Sequence, residues 1–129
     1  MNQEFTDRLF EKYPELYAGK DLPLTQNLMS FGFECGDGWY QIINALSWGL
    51  TQLIKQGQTN LRAVQVKQKW GTLRYYINGS SKEANALIEM AEILSGVTCE
   101  ACGSIKDVKP TKGWITYLCK NCRKESHGG

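Results

Sequence analysis

The strongest hydrophobic pattern in the chain has the spacing of an α-helix. Between residues 38 and 56, large apolar side chains recur at steps of three and four residues, which places them on one helical face. Asp37 precedes the pattern as a candidate N-cap, and Gly57 follows it as a typical helix terminator. Because the apolar positions cover a broad arc, we predict that this is the central core helix. These positions are Trp39, Ile42, Ile43, Leu46, Leu50, Leu53 and Ile54.

Two shorter helices are predicted on either side of the central one. Thr6 can cap a short first helix. Ser80 and Glu83 have the spacing of a capping box, which would open a helix over residues 81–95 that ends at Gly96. The expected core-facing positions are Phe5, Leu9, Phe10 and Tyr13 in the first helix, and Leu87, Met90, Ala91 and Leu94 in the second.

A β-hairpin is predicted between the central helix and the last one. Val64 and Val66 alternate with polar residues, and the segment after Gly71 is rich in β-forming side chains. With Gly71 in the turn, Leu73 and Tyr75 would share the buried face with the two valines. The patterns therefore predict an α+β fold in which helices pack on a small antiparallel sheet.

Length and composition indicate one compact globular unit. The chain has 129 residues, of which 42% are hydrophobic and 22% charged. Its most apolar stretch is interrupted by polar residues and is short of the ~20 apolar residues of a membrane span. The first ten residues lack the basic and apolar regions of a signal peptide. We therefore expect a cytoplasmic protein, in which cysteine pairs are metal or redox sites before they are disulfides.

Four cysteines carry the most specific motif in the sequence. Two Cys-x-x-Cys pairs, Cys99 with Cys102 and Cys119 with Cys122, are separated by sixteen residues. This spacing is typical of zinc sites, because two tight turns can present four thiolates to one tetrahedral ion. We predict one structural Zn²⁺, held in a zinc-ribbon or treble-clef-like module over residues 97–125. The core would then span residues 1–96, packed with the module as one unit, and residues 126–129 would form a frayed tail.

Other roles for the cysteines have less support. Disulfides would need an oxidising compartment, and a redox Cys-x-x-Cys would need only one pair. A catalytic zinc keeps an open coordination position, which four thiolates fill. Cys35 is the odd cysteine, and we interpret it as a free thiol in a turn. As a nucleophile it would need a histidine partner, but the single histidine is His127 in the predicted tail.

Cations and aromatic side chains alternate on the predicted hairpin. Residues 61–129 carry eleven Lys or Arg and six Asp or Glu, a balance of +5, against −3 for residues 1–60. Anionic partners should therefore prefer the C-terminal half. The candidate binding surface comprises Lys67, Lys69, Trp70 and Arg74, with Asp37 and Trp39 as a possible second wall. The alternative is a half-buried hairpin whose cations are merely solvated, with Asp37 as a helix cap and Trp39 in the core.

Three motifs give the chain a resemblance to known sequences. They are Gly36-Asp37-Gly38-Trp39, the run from Lys67 to Tyr76, and the Cys-Glu-x-Cys-Gly motif at Cys99 followed by Gly-Trp-x-x-x-Leu-Cys at Gly113. In these the chain resembles a family of small uncharacterised proteins encoded by bacteriophages and prophages. The resemblance implies a phage accessory gene that acts in a bacterial cytoplasm, a gene class that often encodes inhibitors of host defences. It implies no established activity.

These observations favour a binding protein over an enzyme. The sequence shows no open metal site and no recognisable nucleophile pair. We expect a non-enzymatic, zinc-stabilised binding protein whose partner is a host protein or a small anionic nucleotide. The alternative is a nucleic-acid-binding zinc-ribbon protein, which the basic C-terminal half favours.

Overall fold

The computed structural model describes residues 1–126 of the chain. Residues 127–129, which include His127 and most of the predicted frayed tail, lie outside the described residues. The α-helices are α1 (Gln3–Lys12), α2 (Tyr40–Lys55), α3 (Lys82–Ser95) and α4 (Lys120–Ser126). The strands are β1 (Phe33–Glu34), β2 (Arg62–Lys69), β3 (Thr72–Asn78), β4 (Lys109–Pro110) and β5 (Tyr117–Leu118). Short 3₁₀ helices span Ala18–Asp21, Met29–Phe31 and Asp37–Trp39.

The central helix fills the core as its hydrophobic pattern predicts. Ile43, Leu46, Leu50 and Ile54 of α2 are buried, and Trp39 just before the helix is 0% exposed. α2 has 16 residues, and within the described part of the chain no helix combines the length and the apolar character needed to cross a membrane. The mixed helix-and-sheet architecture is therefore confirmed around this helix.

The larger sheet has three strands in the order β1-β2-β3 and is mixed in direction. β2 and β3 form the predicted hairpin, with Lys69 opposite Thr72 across the turn. β1 pairs with β2 in parallel, with Phe33 beside Val66, which corrects the expectation of a wholly antiparallel sheet. A strand of two residues is too short to show alternation in a sequence, so the pattern could not reveal it.

An irregularity in β2 changes which side chains of this strand face the core. The pairing register shifts between Ala63 and Gln65, as in a β-bulge. Ala63 and Val66 are therefore buried, while Val64 is only half-buried. The predicted buried face is confirmed for Val66 and for both predicted positions of β3, but it is wrong for Val64.

Both predicted caps in the N-terminal half play other roles. Asn2 caps α1, because its Oδ1 accepts a hydrogen bond from Phe5 N at 2.8 Å, while Thr6 lies inside the helix and is buried. Asp37 does not cap α2, which begins three residues later at Tyr40. Its Oδ1 and Oδ2 instead accept hydrogen bonds from N and Nδ2 of Asn2, at 2.6 and 3.0 Å.

α3 is capped one residue later than predicted and presents a different face to the core. Ser81 Oγ accepts a hydrogen bond from Ala84 N at 3.1 Å, so Ser81 rather than Ser80 is the cap. Polar bonds to β3 fix the rotation of the helix, since Leu73 N donates to Ser95 Oγ at 2.9 Å. The buried face is therefore Ala84, Ile88, Ala91 and Ser95. Of the predicted core positions, Leu87, Met90 and Leu94 are exposed.

A buried chain of hydroxyl groups connects the sheet to α2. Tyr75 OH donates to Tyr17 OH at 2.8 Å, and Tyr17 OH lies 2.6 Å from Ser47 Oγ. Ser47 Oγ donates to the Ile43 carbonyl at 2.6 Å. Burial raises the pKa of both tyrosines. Each hydroxyl group has a partner, so the core accommodates these polar atoms without an unpaired donor.

The segment after α3 forms a small module around the four paired cysteines. Its elements are a turn at residues 99–102, the antiparallel β4–β5 hairpin, and α4. Strand structure in this hairpin is limited to two residues on each side. Within residues 1–126, the hydrophobic cluster of the module has three buried members, Cys99, Leu118 and Cys119, with Val108 and Cys122 packed against them.

Candidate functional site

The four cysteines of the module converge on one point. The Cys99 carbonyl accepts a hydrogen bond from Gly103 N at 2.9 Å, which closes the first turn, and Cys119 and Cys122 lie at the start of α4. The four Sγ atoms all lie within 4.8 Å of one another. Sγ of Cys102 and Sγ of Cys119 are 3.7 Å apart. Four thiolates at ~2.3 Å from a tetrahedral ion would be separated by about 3.8 Å, so the cluster is compatible with one structural metal site.

Protonation of the thiols is uneven across this cluster. Burial raises the pKa of Cys99, but hydrogen bonds from the backbone of Cys119, Cys102 and Ala101 outweigh it and lower the pKa to about 7. Burial, followed by the neighbouring sulfurs, raises the pKa of Cys122. Without a metal, the cluster therefore favours the thiolate at Cys99 and the thiol at Cys122. A metal must displace protons to gain all four ligands.

The first cysteine turn is attached to the start of the central helix through close backbone contacts. Gly38 N donates to the Glu100 carbonyl at 2.7 Å, and Gly36 N donates to Glu100 Oε2 at 2.9 Å. A Cβ atom on Gly38 would lie 2.1 Å from the Cys99 carbonyl oxygen, so this position excludes any side chain. Trp39 Nε1 donates to the Thr98 carbonyl at 3.2 Å. The Gly-Asp-Gly-Trp motif thus anchors the cysteine module to the core.

A second attachment joins the β2–β3 turn to the β4–β5 loop. Gln68 Nε2 lies 3.3 Å from both the Ile115 carbonyl and Glu100 Oε1, and donates to each. Gln68 Oε1 accepts a hydrogen bond from Gly71 N at 3.3 Å. A Cβ atom on Gly71 would lie 2.7 Å from Ile115 Cγ2 and 2.9 Å from the Tyr117 ring. The hairpin turn is therefore packed directly on the module and held in a fixed position.

Trp70 occupies a strained position in this turn. Its φ is +56°, a left-handed conformation that is rare for bulky residues, and Gly71 follows with φ +88°. Two positive φ values are typical of the tight two-residue turns in which Asn-Gly or Gly-Gly are the usual residues. The Trp70 side chain is 73% exposed, so burial does not compensate the strain. Backbone strain of this kind clusters at functional sites.

Trp114 is exposed and lines the same cavity as Trp70. Thr111 fixes the loop that carries it, since Thr111 Oγ1 donates to the Trp114 carbonyl at 2.7 Å and accepts from Thr116 N at 3.0 Å. The Trp114 side chain is 87% exposed. No ring contact joins Trp70 and Trp114 among the residues described. The cavity has a volume of about 250 Å³ and is lined by Gln68, Lys69, Trp70, Gly113, Trp114 and Ile115.

Part of the predicted binding surface lies at this cavity. Lys69 and Trp70 line it, and Lys67 and Arg74 are cross-strand neighbours in the same hairpin. Arg74 is partly engaged, because its Nη1 donates to Thr72 Oγ1 at 2.7 Å and to the Leu73 carbonyl.

The predicted second wall is not formed by Asp37 and Trp39. Trp39 is fully buried with its indole nitrogen bonded, and both carboxylate oxygens of Asp37 bind Asn2. The residues that line the cavity together with Lys69 and Trp70 include Gly113, Trp114 and Ile115 of the module. The sequence offers one hint of this, since Gly113-Trp114 belongs to a motif of the resemblance, but no local pattern places Trp114 near the β2–β3 turn.

Comparison with known proteins finds no family model, no curated protein and no solved structure that matches the chain. What the molecule does must therefore be inferred from the chemistry of its own residues. Two features stand out for that purpose, namely the cysteine cluster and the cavity between Trp70 and Trp114.

Proposed function

We propose that the protein is a zinc-stabilised, non-catalytic binding protein that holds its ligand in the cavity between Trp70 and Trp114. One observation carries the proposal, which is the exposure of Trp70 at a left-handed backbone position on a turn that is otherwise tightly held. A tryptophan side chain at this exposed, strained position does not stabilise the fold. A ligand that stacks on the exposed ring would explain why tryptophan occupies the position, because aromatic anchors dominate binding energetics.

Zinc is the metal that best suits the cysteine cluster. Tetrahedral coordination by four thiolates is typical of structural zinc, and the 3.7 Å between Sγ of Cys102 and Sγ of Cys119 fits it. The module places its first pair on a turn, then a hairpin, and its second pair at the start of a helix. This order favours a treble-clef-like module over a zinc ribbon, in which both pairs lie on turns between strands.

The metal and the cavity are coupled through the module. Gly113, Trp114 and Ile115 form one side of the cavity, and the module has only three buried side chains in its hydrophobic cluster. Three buried side chains cannot stabilise the module by burial alone. Zinc therefore supplies the folding free energy of the module. The ligand site should therefore exist only in the metal-loaded protein.

Two features support binding rather than catalysis. Four thiolates complete the coordination of a zinc ion, which leaves no open position for a substrate. Cys35, the remaining cysteine, is buried, and burial raises its pKa to about 12. A thiol with that pKa is a poor nucleophile at neutral pH. A host-protein partner, the phage setting and the counter-defence role remain predictions from the resemblance.

A ligand screen observed by NMR tests the proposed site. The metal-loaded protein, labelled at tryptophan indole nitrogens, is titrated with nucleotides, amino acids, sugars, short peptides and single-stranded DNA. A true ligand should shift the indole signals of Trp70 and Trp114 while leaving those of Trp48, which is exposed on α2, and buried Trp39 in place. The proposed function fails if no compound perturbs the first two signals selectively. Selective shifts with DNA alone would favour the nucleic-acid alternative.

A further inference from the structure

We propose that the cavity between Trp70 and Trp114 binds a free mononucleotide, with its base against the tryptophan rings and its phosphate beside Lys69 and Lys112. This inference rests on the proposed function, because it names the ligand class for the same cavity. A mononucleotide requires a site of suitable charge, polar atoms and size, and the structure shows each of these.

The walls of the cavity suit a flat aromatic group. Trp70 and Trp114 are both highly exposed and line the cavity, and among the described residues no ring contact joins them. Ile115 adds an aliphatic side chain to the lining. A volume of about 250 Å³ lies below the usual range for drug-sized ligands, so the space admits one ring system and not several. A single nucleobase satisfies both conditions.

The charges around the cavity select an anionic ligand. Lys69 lines the cavity, and Lys112 is exposed directly before Gly113, which also lines it. Neither lysine forms a salt bridge within residues 1–126. None of the six lining residues carries a carboxylate, so no anionic side chain of the lining would pair with a cationic ligand. A phosphate group is the anion that nucleotides bring, and lysine binds it as a point charge.

Gln68, the one amide side chain in the wall, is already occupied. Gln68 uses its Nε2 for Glu100 and Ile115 and its Oε1 for Gly71. Gln68 is therefore not free to form hydrogen bonds with the edge of a base. Recognition should depend on the aromatic face and the phosphate, and all four bases should bind with similar affinity.

A free nucleotide fits better than a single strand. A strand needs a series of stacking platforms along a basic groove. The next exposed aromatic residue on the hairpin is Tyr76, and Lys67 Nζ already lies over its ring, 6.0 Å from the centroid. The stacking surface therefore ends after one base.

Calorimetric titration of the metal-loaded full chain tests the inference. AMP, GMP, CMP and UMP should bind with dissociation constants within about tenfold of one another, since every base has a stacking face. The matching nucleosides should bind at least ~10-fold more weakly, because they lack the phosphate. Absence of binding by all four nucleotides at millimolar concentration would overturn the inference, as would equal binding of nucleosides. A short oligothymidylate that binds more than tenfold tighter would overturn it in favour of a single strand.

Matched variants locate the site. Trp114→Ala should weaken binding at least ~10-fold, and its fold should persist because the side chain is 87% exposed. Lys69→Gln should weaken nucleotides but leave nucleosides unchanged. Trp48→Ala removes an exposed tryptophan from α2 and should have no effect. Equal losses in Trp48→Ala and Trp114→Ala would place the ligand elsewhere and overturn the inference.

The NMR ligand screen distinguishes failure of the mononucleotide proposal from failure of the proposed function. If nucleotides do not bind but another compound shifts the indole signals of Trp70 and Trp114, the cavity is a binding site with a different ligand. If no compound shifts them, both proposals fall together.

Discussion

A left-handed backbone conformation places the Cβ of an L-residue close to the following carbonyl oxygen, which costs roughly 1–2 kcal/mol. Trp70 adopts this conformation with most of its side chain in solvent, while Gly71 adopts a similar one without a Cβ. Asn and Gly are the ordinary residues for the first position of such a turn. Trp70 therefore makes the protein less stable than Asn or Gly would at this position, and its contribution is an exposed indole ring.

Replacing Trp70 with Asn should make the protein more stable and less able to bind. We expect Trp70→Asn to raise the free energy of unfolding by ~1 kcal/mol, or the Tm by about 3–5 °C, because Asn tolerates the left-handed region. Binding in the cavity should fall at least ~10-fold, since one aromatic wall is lost. Thermal unfolding and calorimetry measure the two effects.

Trp114→Asn is the matched control for this prediction. Trp114 is as exposed as Trp70 but is not among the non-glycine residues with positive φ. This variant should lose binding with no gain in stability. If both variants gain stability equally, exposure of the indole rather than backbone strain is the cause, and the interpretation of Trp70 is wrong.

Among the elements, the contacts between the core and the cysteine module decide how the site is built. Two glycines of the core, Gly38 and Gly71, have no Cβ atom. The module can therefore approach the core at these two positions more closely than any side chain would permit. The first joins the start of α2 to the cysteine turn, and the second joins the β2–β3 turn to Ile115 and Tyr117. Both contacts position Trp70 relative to Trp114.

Substitution of Gly38 should loosen the attachment of the module. The Cβ atom of Gly38→Ala would lie 2.1 Å from the Cys99 carbonyl oxygen, so the backbone must move. We expect a loss of about 1–3 kcal/mol in urea unfolding and a loss of ligand binding. Gly96→Ala is the control, because its Cβ atom would lie 3.4 Å from the Ile93 carbonyl oxygen and α3 ends there with an ordinary φ of −72°. Equal stability of the two variants would contradict the tight contact.

The same elements show which features a sequence can predict. The cysteine cluster depends on local spacing, and α2 depends on one strong periodicity, so both were predictable. The rotation of α3 depends on the bond from Leu73 N to Ser95 Oγ, which joins residues from different elements. The wall formed by Trp114 depends on contacts between Gly71 and Ile115, and no local pattern encodes such long-range pairs.

At the scale of the whole molecule, the C-terminal quarter has a small hydrophobic cluster, and we propose that it depends on the metal for its fold. The hydrophobic cluster of residues 1–96 is large and includes Trp39, Leu50 and Leu73, whereas that of the module holds three buried side chains. The core should therefore keep its helices when the metal is removed, and the module should not. The cavity lies across the boundary and should be lost with the module.

Metal content and its dependence on pH test whether the fold of the module depends on the metal. Elemental analysis should find about one zinc per chain, and a chelator should abolish ligand binding while most of the helical circular dichroism remains. Zinc occupancy should fall as the pH drops below neutral, because protons compete for the thiolates and even Cys99, whose pKa backbone hydrogen bonds lower to about 7, is then protonated.

Two serine variants complete this test of the metal site. Cys119→Ser should lose zinc, whereas Cys35→Ser should keep it, since Cys35 is not part of the cluster. Full zinc retention by Cys119→Ser, or iron in place of zinc, would contradict the assignment.

The division of the cavity between two distant stretches of chain also sets the order in which the molecule can assemble. Gln68 and Ile115 come from different parts of the chain, so their contact cannot form until the β4–β5 loop has been synthesised. During synthesis, residues 1–96 can collapse while the cysteine turns are still inside the ribosome, and Trp70 is then exposed with no partner wall. A nascent or metal-starved chain would therefore be folded in its core yet unable to retain a ligand, and the capture of zinc would be the event that times the onset of binding.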